Sequence, residues 1–106
     1  MAAAQTEGRV ERDGDAVLRV SGALTFATAA RLWSDGERAL ARCTGSHVDI
    51  DCSGVTAADS AGLAVLVQWL ASGQRGGRTV ALRALPRAVV EIARISELED
   101  LIQPGG

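Results

Sequence analysis

Asp59 and Ser60 stand directly before a long apolar run, and a hydroxyl in that position has chemistry open to it. A serine where a helix begins can accept a hydrogen bond from a free backbone N–H of the first turn, a cap worth about 1 kcal/mol. It can equally present its hydroxyl to a partner or a kinase. The free N–H groups of a helix start accommodate a phosphate. A phosphoserine beside Asp59 would add roughly two negative charges and disrupt an interface through repulsion and desolvation. The two readings are compatible, because a capping hydroxyl can also be a switch.

Other residue types that do chemistry are dispersed. His47 is the one histidine, at the start of a strand, with no serine or cysteine at triad spacing. It reads as a strand-edge residue. Asp49 and Asp51 project from one strand face and Asp59 follows in the loop; three carboxylates could hold Mg²⁺. More often such residues are loop hydrogen-bonders and solvated charges. Ser72-Gly73-Gln74-Arg75-Gly76-Gly77 has a phosphate loop's composition, but it follows a helix and precedes a strand, the wrong order for a nucleotide cradle. Arg75, Arg78, Arg83, Arg87 and Arg94 are spread over different elements and read as solvated surface. No catalysis, cofactor or metal is expected.

The positioning elements are legible from periodicity. Val48, Ile50 and Cys52 alternate with Asp49 and Asp51, the pattern of a strand with one buried face, and Ser53-Gly54 stops it. Leu63, Leu66, Val67 and Leu70 recur at helical spacing, widened by Ala64, Val65 and Trp69, so this helix is mostly buried. Upstream, residues 8–12 make a short edge strand, Asp13-Gly14-Asp15 a hairpin turn, and 16–21 a second strand. Gly22-Ala23-Leu24-Thr25 leads into a helix from about 26 to 42. Ala29, Leu32, Gly36, Ala39, Leu40 and Cys43 form its stripe toward the sheet, with Gly36 allowing close packing there. Phe26 and Trp33 fall on the shoulder of that stripe. They are either boundary core residues or partner-binding anchors, since Trp is enriched at interface hot spots.

Residues 78–84 form a strand with Val80 and Leu82 inward. Pro86 suits the first turn of a helix whose Val89, Ile92, Ala93 and Ser96 face the core. Leu98, Leu101 and Ile102 pack a last short segment. Strands alternating with helices after a hairpin predict a small α/β fold, a mixed, mostly parallel sheet with right-handed crossovers.

The 106 residues suffice for one domain, expected over 8–103, with flexible tails at 1–7 and 104–106. A net charge of −2 leaves no electrostatic footprint for nucleic acid or for an acidic membrane surface. Cys43 and Cys52 lack metal-type spacing and fit a reducing cytosol. Residues 1–8 lack the features of a signal peptide, and no run is long enough to span a bilayer. A cytoplasmic protein is expected, brought to any membrane by a partner.

Asp51-Cys52-Ser53-Gly54-Val55-Thr56, followed by Asp59-Ser60-Ala61-Gly62-Leu63, resembles the signature of STAS domains, the family of anti-sigma factor antagonists. The order of elements is similar across nearly the whole chain, and the resemblance implies helices packed mainly on one side of the sheet. The family's regulatory phosphorylation position maps onto Ser60.

Two functions follow from the resemblance. The first is the MlaB-type STAS subunit of the Mla phospholipid-transport ABC system. Such a subunit docks on the cytoplasmic ATPase, MlaF, supports its assembly and activity, and lies at the inner membrane through that ATPase and its permease. The compact domain, Trp33 in the first helix and the run from Asp59 to Ala64 favour it. The second is an anti-sigma factor antagonist that captures an anti-sigma kinase until Ser60 is phosphorylated. Ala61 stands where many antagonists carry a second hydroxyl, and Ala58 where a larger apolar residue is common. A plain module of a stressosome-like assembly is a third. The transporter reading leads. Both leading readings put the interface at Ser60, Asp59, Ala61 and Gly62 with Trp33 and Phe26, on one exposed surface.

Overall fold

In the computed structural model the described residues are 8–102; the expected tails, and Gln103, lie outside them. Strands β1 (Arg9–Arg12) and β2 (Val17–Leu24) form the expected hairpin, paired antiparallel with Val10 opposite Val20. There follow α1 (Ala29–Arg42), β3 (His47–Ala58), α2 (Ser60–Arg75), β4 (Thr79–Arg83), α3 (Arg87–Ile95) and the single turn α4 (Glu99–Ile102). The sheet order is β1-β2-β3-β4, and both β2–β3 and β3–β4 are parallel. The fold is the expected mixed, mostly parallel α/β sheet.

Alternation along the strands creates two unlike faces. Leu18 and Val20 of β2 and Val48, Ile50 and Cys52 of β3 are buried against Leu32, Leu63, Leu66, Trp69 and Val89 from the helices. The opposite face carries Glu11, Arg19, Asp51 and Arg83 at matched register positions, a row of alternating sign across all four strands. Arg19 donates to Asp13 at 2.8 Å and to Asp51 at 3.1 Å. Asp49 meets His47 Nε2 at 2.8 Å and Arg83 Nε at 3.1 Å. The His47 contact, then Arg83, holds the Asp49 carboxyl below its usual range; the Ser53 N–H does the same for Asp51. Exposed pairs of this kind contribute under about 1 kcal/mol each, so they keep the face wet rather than build the fold.

Several boundaries differ from the expectation. β3 does not stop at Ser53-Gly54 but runs to Ala58, paired with β2 through Leu24, because two register irregularities let the strands continue. α1 begins at Ala29 and leaves Phe26 outside it, since 25–28 fold into a turn. There Thr28 Oγ1 donates to the Ala23 carbonyl at 2.8 Å and Thr28 N to Thr25 O at 3.0 Å. Gly36 faces Trp69 of α2 rather than the sheet: a Cβ there would lie 2.1 Å from the indole. The helix expected to end near Ser72 continues to Arg75. Arg78 is not solvated surface; its guanidinium donates to the carbonyls of Leu40 and Cys43, capping the end of α1.

Ser96 is exposed rather than facing the core. It is the last residue before a Schellman-type closure, in which Leu98 N donates to Ala93 O at 2.7 Å and Glu97 N to Arg94 O at 3.2 Å. Glu97 occupies the left-handed position usually given to glycine, with φ 60°.

Candidate functional site

The site begins where β3 hands over to α2. Asp59, not Ser60, is the N-cap. Its Oδ1 accepts the N–H groups of Ala61 and Gly62 at 2.9 and 3.1 Å. Its Oδ2 accepts the Phe26 N–H at 3.0 Å, tying the loop before α1 to the start of α2. These three N–H donors, Phe26 first, hold the Asp59 carboxyl below its usual range. Gly62 lets the helix start press onto β2, since a Cβ there would lie 1.9 Å from the Leu24 carbonyl oxygen.

Ser60 is thereby freed from the capping role expected of it. It is the first residue of α2, exposed, and its hydroxyl makes no hydrogen bond among the described residues. Two of the first-turn N–H groups that could have received a phosphate, those of Ala61 and Gly62, are engaged by Asp59. A phosphate on Ser60 would therefore meet a carboxylate in place of those two donors.

α1 and α2 leave an apolar groove of about 450 Å³, lined by Phe26, Ala29, Ala30, Trp33, Ala61, Ala64, Val65 and Gln68; Ser60, one residue before Ala61 in the chain, is not among the lining residues. Phe26 is 83% exposed and Trp33 47%, so neither is the boundary core residue that the shoulder position allowed. Trp33 is fixed at its backbone, where its carbonyl accepts the buried Trp69 indole N–H at 3.2 Å. Ala61 is half-buried in the groove wall and Ala64 exposed. Phe26, Trp33 and Ala61 thus come together around one depression, and Asp59 reaches it through its bond to Phe26. Gly62 lies beneath, buried.

Of the lining residues, the sequence reading misses Ala29, Ala30, Ala64, Val65 and Gln68; it places Ala29 toward the sheet and Ala64 and Val65 on the buried face of α2. The available signal was the pair of small residues at Ala61 and Ala64, one helical face apart from the leucines. His47, Asp49 and Asp51 belong to the open sheet face and not to this groove. Among the described residues no three of His, Cys, Asp or Glu gather as a metal site, and no helix is long and apolar enough to cross a membrane.

A family model described as "Mlab, STAS domain" matches residues 8–103. The chain belongs to this STAS family. The fold of this STAS domain is also that of a solved structure titled "Structure of the Anti-Sigma Factor Antagonist SpoIIAA in its Unphosphorylated Form". The TM-score is 0.68 at 11% identity, over 90% of this chain and 84% of that one. No curated protein matches the sequence. STAS domains generally are non-catalytic binding domains that work through protein–protein contacts.

Proposed function

We propose that this STAS domain is a non-catalytic subunit that binds and supports the ATPase of an Mla-type phospholipid-transporting ABC system, peripheral to the inner membrane through that ATPase and its permease. The observation that carries it is the apolar groove of Phe26, Trp33 and Ala61, with the exposed Ser60 one residue before Ala61, in a chain matched by the MlaB-type family model. A groove flanked by two large exposed aromatics supports an interface, because such side chains are the usual anchors of protein contacts.

The second reading, an anti-sigma factor antagonist switched at Ser60, is favoured by one observation: the Ser60 hydroxyl is exposed and unbonded at the helix start.

Affinity capture of the tagged chain from its native host, with detergent-solubilised membranes and mass spectrometry of bound proteins, separates the two. The transporter reading expects an ABC ATPase with its permease, lost in Trp33→Ala. Recovery of an anti-sigma kinase, released by Ser60→Asp, would put the second reading in its place.

A further inference from the structure

The Trp33 side chain is held as well as its backbone. Its indole N–H donates to Glu37 Oε2, one turn further along α1, at 3.3 Å. The same oxygen accepts the Ser72 hydroxyl of α2 at 2.5 Å, and Ser72 Oγ in turn accepts Arg75 Nη2 at 3.1 Å. Glu37 and Ser72 are both half-buried. A second depression, of about 270 Å³, is lined by Glu37, Leu40, Ala41, Ser72 and Arg78 among others. The Glu37–Ser72 bridge therefore stands along the α1–α2 seam where the apolar groove gives way to this second hollow.

A Trp–Glu pair four residues apart is by itself ordinary helix surface. What differs here is that the carboxylate is anchored on a second helix. An unanchored glutamate samples several rotamers, and an indole bonded to it would wander with it. The Ser72 hydroxyl removes that freedom from Glu37, and Glu37 from the indole. The Trp69 bond to the Trp33 carbonyl fixes the backbone from which the side chain departs.

We infer that Glu37, buttressed by Ser72, is a positioning residue that fixes the Trp33 indole as the wall of the apolar groove, so that the docking face is formed before a partner arrives. The inference rests on the groove being the docking face proposed above. A pre-set indole spares the partner the cost of freezing it, which is the usual route by which pre-organisation raises affinity. The requirement is for an acceptor oxygen at this position, not for a charge. Glutamine meets that requirement and alanine does not.

The test is the pair of tryptophan indole N–H resonances in ¹H–¹⁵N spectra, assigned with Trp33→Phe, followed by affinity for the captured ATPase. Glu37→Ala moves the Trp33 resonance toward its free position and lowers its heteronuclear NOE, while the Trp69 signal stays put. Glu37→Gln keeps both near wild type, and Ser72→Ala falls between. Affinity drops about threefold to tenfold in Glu37→Ala, the scale of one side chain left to be immobilised on binding. The thermal midpoint falls by a few degrees, the scale of a lost interhelical hydrogen bond, so affinities are compared at a temperature where both variants are folded. A Trp33 signal equally placed and equally rigid in Glu37→Ala overturns the inference, as does a Glu37→Gln variant no better than Glu37→Ala. If the wild-type chain captures no ABC ATPase, the functional reading fails, and the indole spectra still decide whether Glu37 positions Trp33.

Discussion

The Asp59 carboxylate and the Phe26 backbone N–H meet at 3.0 Å across 33 residues of sequence. One side chain thus caps α2 and pins the loop that presents Phe26. Asp59→Ala removes all three bonds, and the expected loss is about 1–2 kcal/mol, the upper part of the N-cap range. Asn caps nearly as well, so Asp59→Asn loses less. Urea unfolding at pH 7 measures both.

The same carboxyl gives an acid limb to stability. Its pKa is lowered by folding, so the stability due to its charged form is complete above the ordinary carboxylate value of about 4 and is lost as pH falls through the lowered value. Asp49 and Asp51 are shifted in the same direction and add to the limb. Urea midpoints from pH 7 to pH 2 decline below about pH 4, and Asp59→Asn flattens that decline in part.

Gly36 admits the Trp69 indole between α1 and α2. Alanine there raises helix propensity by about 1 kcal/mol. The indole must still move away from a new Cβ 2.1 Å from its ring. Overpacking of this kind costs about 1–3 kcal/mol, so the net effect of Gly36→Ala on chemical denaturation is destabilising. Glu97→Gly works in the other direction. Relief of a left-handed residue in the Schellman closure raises stability by about 1 kcal/mol.

Ser60→Ala, Phe26→Ala and Trp33→Ala change exposed side chains, and each shifts unfolding free energy by no more than about 0.5–1 kcal/mol. Partner affinity behaves otherwise. Trp33→Ala lowers it more than about tenfold, the scale of an aromatic hot spot. Ser60→Asp, with Asp59 beside it, does likewise through repulsion. Calorimetry alongside affinity capture separates the two readouts.

Burial pushes the Cys52 thiol up to about 12 and the Cys43 thiol in the same direction. Both are buried and free. Neither reacts with a thiol-exchange reagent at pH 7.5 in the folded chain, and both react on unfolding, because the thiolate is the reactive species.

The sheet was readable in advance because its signal is local. Val48, Ile50 and Cys52 alternate with aspartates, and the leucines of α2 recur at helical spacing. The errors lie where distant pairing decides. Nothing adjacent to Gly54 says that Ser21–Leu24 will lie alongside and carry β3 on to Ala58. Gly36 was read against the wrong layer, because its neighbour Trp69 is 33 residues away. At the candidate site, the sequence expects the cap at Ser60 and the structure puts it one residue earlier, at Asp59. Both Asp and Ser suit an N-cap, and only the path of the chain selects between them. Glu37 and Ser72 gave no signal, since a glutamate and a serine on helix surfaces are unremarkable until they meet.

Parallel pairing also bears on how the chain is made. β2 joins β3 only across α1, and β3 joins β4 only across α2, so no strand after the first hairpin can find its partner locally. During synthesis, β3 emerges well before Thr79–Arg83 and waits with one edge unpaired, its Val48, Ile50 and Cys52 facing a core still missing α3. That interval is when the nascent chain is most open to edge-to-edge association. The like negative charges of Asp49 and Asp51, set between the apolar residues of the waiting strand, oppose its pairing with a second copy until β4 arrives.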